Sequence, residues 1–480
     1  MVGALLLGSG WSRSAVAASP GTDDAGALPS TATPALQPST VIQDAGVPGT
    51  PGAEVVAPGQ AATHAAAAGG SSADAAPAHA PPTSASELPE TELPREDLVE
   101  AAVGSSRPSS KNAWGGYGEL TFNVLGGAPP GAFNLQNRGA NNQLSGAPQN
   151  VVDLRRVVFF FGHDFSDQIR FYSEVEFEHA VTSGSDQGEA EIEQAFLDWV
   201  PSKKLGARAG LILMPMGLVN IYHEPPSFFG VDRPDVDTVV IPTTWREAGL
   251  GIFGEPLEGL RYQLYLGTSF DAHGFDAQYG IRDGHQEAQL AFGGDSGAIA
   301  RLDYEPILGT VFGVSAFGGT SGNTLPTSVG KVPLGMFDVD ARTHLGGFTA
   351  RAELALLTIG NAGALDQYLL ANWSGSAPWN GPVPNLSWGG YVEAGYDLLH
   401  LLASTSSQQL TLFDRFDFVD PQASVPTGFN AISADRRYSD QVGLVYKPIP
   451  QIALKTDYRR QYLGDGVSYN EFDSAITWLF

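Results

Sequence analysis

The feature that most limits the fold of this chain is a two-residue alternation of apolar and polar side chains, repeated from residue 114 to residue 480. In one segment, Phe171, Val175 and Phe177 fall on the same face, because successive residues of a strand point to opposite sides. The opposite face carries the glutamates Glu174, Glu176 and Glu178. No run of about 18 apolar residues crosses the chain, so a bundle of membrane-spanning helices is excluded. The alternation predicts an all-β protein.

The alternating segments are joined by connections that are short and long in turn. Sixteen segments can be counted, near 114–124, 152–165, 168–179, 189–200, 204–213, 246–254, 260–270, 296–305, 309–319, 335–342, 347–358, 387–397, 408–418, 438–447, 451–463 and 469–480. Short turns at one rim and long loops at the other are typical of a transmembrane antiparallel β-barrel. The sequence therefore predicts a barrel of about 16 strands with both ends at one rim. A soluble propeller or a pair of β-sandwiches is the alternative.

Composition narrows the classes of function. The chain has no cysteine, which excludes a disulfide scaffold, a thiolate metal site and a cysteine nucleophile. Its formal net charge is −26, and nucleic acid is not expected as a partner because its binding needs a basic surface. A transmembrane barrel instead has outer-membrane lipid around it and small hydrophilic solutes or ions inside it.

Three regions of the chain differ in composition. Residues 1–18 are predicted to be a signal peptide, since Leu5–Leu7 form a short apolar core and Ala15–Ala17 a small-residue cleavage site. Residues 19–110 are rich in Ala, Pro, Ser, Thr and Gly, which predicts a disordered periplasmic arm. The arm is either a tether towards the cell wall or an inert spacer. The barrel domain is predicted over 111–480.

The last segment ends the chain on an aromatic residue. Phe480 shares one face with Trp478, Ile476 and Phe472, while polar or smaller side chains alternate with them. A terminal aromatic residue on an amphipathic strand looks like the assembly signal of Gram-negative outer-membrane barrels. We therefore expect Phe480 and Trp478 to be recognised by the barrel assembly machinery, and the protein to lie in the bacterial outer membrane.

Three further segments resemble a known family. Leu213–Pro234, which reads LMPMGLVNIYHEPPSFFGVDRP, and Ile241–Gly249, which reads IPTTWREAG, are similar to the loop after one strand in porins of the phosphate-selective porin O and P class. Tyr446–Tyr458 is similar to the penultimate hairpin of those porins. The resemblance covers roughly 114–480. It implies a sixteen-stranded barrel, usually trimeric, that conducts small solutes.

The third long loop, 214–245, is predicted to fold into the barrel and narrow it. Its prolines would stiffen an inward segment, and its paired phenylalanines would give it an apolar patch to pack on the wall. The predicted constriction residues are His223, Glu224, Phe228, Phe229, Arg233 and Trp245. An external loop with ordinary turn prolines is the alternative.

Side chains on the polar face would line the pore and set its ion preference. The predicted lining residues are Arg208, Arg246, Arg261, Arg301, Arg351, Arg415, Lys455, Arg459, Glu174, Glu176 and Glu178. The arm holds three basic and eleven acidic residues, so the barrel keeps 23 against 41, a net charge of −18. This acidity favours a general or mildly cation-favouring pore over a phosphate-selective one. Pairing of these charges across strands, which would only stiffen the wall, is an equal alternative.

Neither an enzyme nor a metal or cofactor protein is expected. His223 and Glu224 precede Pro225 and Pro226, which forbid the helix of a zinc-protease motif, and the second histidine of that motif is missing. The sequence predicts a passive outer-membrane porin. The alternative is a structural or adhesive barrel with a plugged lumen, anchored to the cell wall by its arm.

Overall fold

The computed structural model describes residues 111–126, 150–180, 188–372, 379, 381–402 and 407–480. The predicted signal peptide and arm, 1–18 and 19–110, lie outside the described residues, so both stay predictions. The described part of the chain forms sixteen strands, with short helices in some of the connections.

The strands coincide one for one with the segments predicted from the alternation. They are β1 Asn112–Gly126, β2 Asn150–Asp164, β3 Ile169–Glu178, β4 Ala190–Ser202, β5 Leu205–Leu213, β6 Arg246–Leu257, β7 Leu260–Thr268, β8 Ser296–Ile307, β9 Thr310–Ser321, β10 Val332–Leu345, β11 Phe348–Ile359, β12 Leu386–Asp397, β13 Gln409–Ser424, β14 Arg437–Ile449, β15 Ile452–Leu463 and β16 Ser468–Leu479. The clearest differences are in β10 and β13, which extend beyond their predicted 335–342 and 408–418. Pro333 and Pro421 lie in these extensions and obscured the period.

One antiparallel sheet contains all these strands and closes on itself. Each strand pairs with its neighbours in sequence, and β1 pairs with β16. This seam runs from Tyr117 opposite Leu479 to Gly126 opposite Asn470. The predicted all-β, sixteen-stranded barrel is confirmed. A propeller or a pair of sandwiches is excluded, because either would divide the strands among separate sheets.

Alternate side chains lie outside and inside the barrel. On β7, Leu264 and Leu266 are exposed on the outer surface, while Tyr265 between them is buried. On β15, Leu454 is exposed and the neighbouring Lys455 is buried. The outer surface is therefore apolar and the inner wall carries most of the charged side chains, which is the distribution that a barrel surrounded by lipid requires.

The two rims differ in the length of their connections. At one rim, which we call the turn rim, two-residue turns such as 203–204 and 258–259 join the strands. The opposite rim, the loop rim, carries 214–245 between β5 and β6 and 269–295 between β7 and β8. β1 begins and β16 ends at the turn rim, as the even number of strands predicted.

Short helices lie in the connections. Helices α1 Val236–Val239 and α2 Ala362–Ala371 belong to connections of the loop rim. Helix α3 Leu398–Leu402 follows β12 at the turn rim, where the alternation predicted only a strand end. None of the described helices has the length and apolar character that crossing a membrane requires.

Two glycines of β1 let aromatic rings lie against the closing seam. A Cβ atom on Gly116 would lie 2.4 Å from the carbonyl oxygen of Val158 and 2.8 Å from the Phe480 ring. A Cβ atom on Gly118 would lie 2.5 Å from the Trp478 ring. Phe480 N donates to Gly116 O at 2.8 Å, and Gly116 N donates to Phe480 O at 2.9 Å. Both predicted assembly residues therefore lie in the seam, although their recognition by the assembly machinery stays a prediction.

Replacing Gly116 by alanine should destabilise the seam. The added methyl group would clash with the Val158 backbone, which cannot move without shifting β2, so we expect a loss of about 1–3 kcal/mol in the free energy of unfolding. The matched control is Gly318→Ala on β9, where a Cβ atom would meet nothing within 4 Å. Unfolding in guanidinium, followed by heat-modifiable gel mobility, would compare the two variants. Equal stability of both would contradict this account of the seam.

Candidate functional site

The connection 214–245, which we call the inner loop, lies inside the barrel. Its two ends are joined because Met214 N donates to Trp245 O at 2.9 Å. Asn220 strengthens this neck, since its Nδ2 donates to Met214 O at 2.8 Å and its Oδ1 accepts from Trp245 N at 2.7 Å. The loop therefore starts from a closed base between β5 and β6.

Wall carboxylates accept hydrogen bonds from the backbone of the inner loop. Leu218 N donates to Glu353 of β11 at 3.2 Å, and Val231 N donates to Asp457 of β15 at 2.8 Å. Because β11 and β15 lie far around the sheet from β5 and β6, the loop crosses the interior from one wall to the other. These contacts do not fit an external loop. That the loop narrows a permeation path stays a prediction.

Lys455 of β15 is the most direct clamp on the inner loop. Its Nζ donates to the carbonyl oxygens of Pro225, Phe228 and Gly230 at 2.5, 2.7 and 2.9 Å. The ammonium also lies 4.1 Å from the centre of the Phe228 ring. Three carbonyls match the three donors of an ammonium group, so Lys455 is held by the loop rather than by a solute.

Ion pairs add further links between loop and wall. Arg155 of β2 lies 2.8 Å from Asp232, and Arg459 of β15 lies 2.7 Å from Asp235. Burial alone would raise the pKa of Asp235, but the guanidinium groups of Arg459, Arg437 and Arg415 hold this pKa below its usual value. Asp235 is therefore ionised, and its pairing with the wall persists through neutral pH.

The other side of the inner loop packs on apolar side chains. The Trp245 ring lies 5.1 Å from Phe270 and 4.8 Å from Phe317, measured between ring centres. Further buried residues of this cluster come from the inner loop, the 269–295 loop and the wall: Met216, Val236, Val239, Ile241, Phe275, Tyr279, Ile281, Leu334 and Leu357. The part of the lumen between β5 and β13 near the loop rim is thus filled by an apolar core.

Every basic residue predicted to line the pore is engaged by another group of the protein. Apart from Lys455, the pairs are Arg208 with Asp198, Arg246 with Glu191 and Glu287, Arg261 with Glu305, Arg301 with Asp303 and Asp340, Arg351 with Glu393, Arg415 with Asp417, and Arg459 with Asp235. Arg415 is fully buried, whereas Arg208 and Arg261, near the turn rim, are partly exposed. The guanidinium groups are therefore largely neutralised by carboxylates.

The three predicted glutamates of β3 lie in different surroundings. Glu176 is buried and lies 3.3 Å from Arg156. Glu174 is buried and accepts a hydrogen bond from Gln194. Glu178 is half-buried at the loop-rim end of β3. All three stay on the charged side of the lumen, away from the apolar core.

The predicted constriction residues are all buried against the wall or the neighbouring loop. His223 Nε2 lies 3.0 Å from Glu193 Oε1 of β4, and Glu224 beside it is buried. Phe229 stacks on Phe413 with 5.5 Å between ring centres. Arg233 donates to Thr244 Oγ1 at 3.0 Å. These residues, with Phe228 and Trp245, fasten the inner loop in place.

Two β-bulges bring in residues that the alternation could not identify. The register between β1 and β2 shifts after Glu119, so Arg155 and Arg156 are both buried although they are adjacent in sequence. A second shift between β3 and β4 buries both Glu193 and Gln194. A bulge adds one residue to a strand and re-aims its side chains, and a strict two-residue period contains no signal for it.

Comparison with known proteins identifies one relative. An uncharacterized protein of Aquifex aeolicus (strain VF5) is 30% identical over 369 residues, which cover 76% of this chain and 79% of that protein. The chain belongs to the same family as that protein. No family model matches the chain, so membership of the phosphate-selective porin O and P class stays a prediction.

Among solved structures, the chain is similar to three outer-membrane proteins at low sequence identity. The outer membrane channel DcaP of Acinetobacter baumannii is 12% identical with a TM-score of 0.48, covering 77% of this chain and 97% of that one. OmpF of Salmonella typhi, in complex with daunomycin, is 13% identical with a TM-score of 0.49, covering 77% and 98%. The anion-selective porin from Comamonas acidovorans is 9% identical with a TM-score of 0.47, covering 77% and 99%.

Replacing Lys455 by methionine should loosen the inner loop. Three buried carbonyl oxygens would lose their donor, and we expect a loss of at least about 2 kcal/mol in the free energy of unfolding, with faster cleavage of the loop by a broad-specificity protease. The matched control is Lys203→Met at an exposed turn, where we expect a change within about 0.5 kcal/mol. Chemical unfolding and limited proteolysis would measure both effects. Unchanged stability and cleavage of Lys455→Met would show that the clamp does not hold the loop.

Proposed function

We propose that this protein is a passive porin of the bacterial outer membrane. Small hydrophilic solutes or ions would diffuse through its lumen, with the inner loop as the narrowing element. The observation that carries the proposal is the combination of a closed sixteen-stranded sheet, an apolar outer surface and a charged inner wall crossed by a loop. A soluble protein gains nothing from an apolar surface on all sides, whereas a barrel in lipid depends on it.

The proposal includes a specific orientation and set of partners. Outer-membrane lipid would surround the apolar outer surface, and the loop rim would face the exterior. The turn rim, where β1 begins, would then face the periplasm and place the predicted arm there. Assembly by the outer-membrane barrel machinery and a homotrimeric state are parts of the same proposal.

Weak selectivity follows from how the inner charges are paired. An anion-selective path needs guanidinium or ammonium groups that a passing anion can approach. In the described residues, the predicted basic lining is bonded to carboxylates or, for Lys455, to backbone carbonyls. Because acidic residues also outnumber basic ones in the barrel, we propose a general or mildly cation-favouring pore rather than a phosphate-selective one.

A second function is favoured by the packing of the lumen. The inner loop, the 269–295 loop and the wall share an apolar core, and Arg415 between loop and wall has no exposed surface. A barrel sealed in this way would serve as a structural or adhesive element of the envelope, with the arm directed to the cell wall. This candidate predicts a folded barrel that conducts no ions.

Planar-bilayer recording separates the two functions. The porin should produce stable unitary conductance steps when the purified full-length protein is added, and its reversal potential in a salt gradient should indicate weak cation preference. A protein that is folded by heat-modifiable mobility but silent in the bilayer would overturn the porin and support the sealed barrel. A strong preference for phosphate over chloride would overturn the proposed selectivity.

Neutralising Asp198 should shift the pore towards anions. Asp198 holds Arg208 by two hydrogen bonds of 2.8 and 2.9 Å near the turn rim, so Asp198→Asn would leave that guanidinium charge uncompensated. We expect the anion-to-cation permeability ratio to rise roughly twofold or more, and Arg208→Gln to lower it. The control is Asp167→Asn in an exposed turn. Reversal potentials in a potassium chloride gradient would measure the ratio, and identical values for all variants would place the permeation path elsewhere.

A further inference from the structure

Three buried side chains with metal-binding donors meet where the inner loop touches β3 and β4. Glu174 comes from β3, Glu193 from β4 and His223 from the inner loop. One ligand atom of each lies within 4.8 Å of one ligand atom of each of the others. The bulge in β4 is what turns Glu193 inward, beside Gln194. Two carboxylates and one imidazole thus converge from segments that are not adjacent in sequence.

The orientation of His223 directs a nitrogen lone pair into this cluster. Its Nδ1 lies 3.3 Å from the carbonyl oxygen of Asn220, which can only accept, so Nδ1 carries the proton. Nε2 then presents its lone pair to Glu193 Oε1 at 3.0 Å. Two electron-rich atoms at this distance need a proton or a cation between them. Histidines that bind metals commonly donate their other ring nitrogen to a carbonyl in this way.

The position of His223 is fixed before any ligand arrives. Asn220, which accepts from Nδ1 through its carbonyl, also joins the two ends of the inner loop through its side chain. Ser227 Oγ donates to the carbonyls of Tyr222 and Glu224 at 2.7 Å, on either side of His223. A site with preset ligands loses less conformational entropy on binding.

The surrounding charge favours a cation. Glu176 and Glu224 join Glu174 and Glu193 in surrounding the hydroxyl of Tyr117. Arg156, the nearby cation of β2, is bonded to Glu119 at 2.9 Å and also contacts Glu176 at 3.3 Å. Its charge is thus shared by carboxylates outside the Glu174, Glu193 and His223 cluster. A buried excess of carboxylates is costly unless a proton or a cation compensates it.

We propose that Glu174, Glu193 and His223 bind a divalent transition-metal ion of the Zn²⁺ type, with water as a further ligand. Donors around a tetrahedral zinc ion lie about 2.0–2.2 Å from it and therefore roughly 3.3 Å from one another. The 3.0 Å between Nε2 and Oε1 is already close to this spacing. Imidazole nitrogen selects transition metals over Mg²⁺ and Ca²⁺, which prefer oxygen ligands alone.

A second cluster shows why the histidine matters. Asp232, Glu471 and Asp473 also bring three ligand atoms within 4.8 Å of one another. Their donors are all oxygens, Asp232 is paired with Arg155 at 2.8 Å, and Asp473 accepts from Asn123 at 2.5 Å. This cluster lacks a nitrogen donor and is bonded to donors of the protein, so zinc should prefer the site of His223.

A metal ion at this site would join the inner loop to the wall. Lys455 and Asp457 hold the loop on the β15 side, whereas His223 would be held on the β3–β4 side through the metal. The ion would thereby restrict movement of the loop across the lumen. Binding itself does not depend on conduction, so the site stands or falls separately from the porin function.

Zinc binding by the purified, untagged full-length protein in detergent tests the proposal. After removal of metals with a chelator, titration with Zn²⁺ should give about one tightly bound ion per chain by elemental analysis and calorimetry. His223→Gln and Glu193→Gln should each weaken this binding at least tenfold. The matched control is His179→Gln, which removes a histidine–carboxylate pair of 2.7 Å at the end of β3 and should bind zinc as the unaltered protein does.

Two further measurements keep the test decisive. Co²⁺ bound at the same site should give the visible absorption of a nitrogen- and oxygen-ligated ion, which His223→Gln should abolish. Zn²⁺ should raise the thermal unfolding midpoint of the unaltered protein and of His179→Gln but not of His223→Gln. If His223→Gln does not fold, Glu174→Gln takes its place. Absence of tight zinc binding by the unaltered protein, or binding unchanged in the folded ligand variants, would overturn the site and leave a proton between His223 and Glu193.

Discussion

The pairing of β1 with β16 is the constraint on which the rest of the structure depends. An open sheet edge would leave a row of backbone donors and acceptors without partners, which lipid cannot supply. Closing the sheet removes the edge and at the same time creates an enclosed interior. Phe480 completes the seam through its backbone bonds to Gly116. Once the barrel is closed, every inward side chain must find a partner across a space that the outer surface no longer influences.

The inner loop supplies those partners. On the side of β5 to β13 it buries apolar residues around Trp245, and on the opposite side its carbonyls, amides and carboxylates pair with the charged wall. Buried charges without partners would be costly, and the loop places a group of opposite character against each clamp residue such as Lys455 and Arg155. One segment therefore gives the barrel both its rigidity and its narrowest cross-section, and the same segment carries His223 to the wall.

Much of the fold followed from the period of the side chains alone. The sixteen segments, the outward position of Leu454 and the inward position of Lys455 were all predicted, because the pleat of a strand ties each face to sequence parity. The bulges were not predicted: Arg155 with Arg156, and Glu193 with Gln194, share a face against that parity. A bulge depends on how two strands fit each other, and neither strand shows it alone.

The sequence by itself determined which residues face lipid, which face the interior and which connection is long enough to enter the lumen. These properties are local, since they depend on a period of two and on the spacing of turns. The tertiary structure decided which interior groups meet. Lys455 reaches Pro225 across 230 positions of sequence, and His223 meets Glu193 only because a loop and a bulge point at the same place. Partners across a lumen are chosen by barrel closure and strand register, and these are properties of the whole sheet.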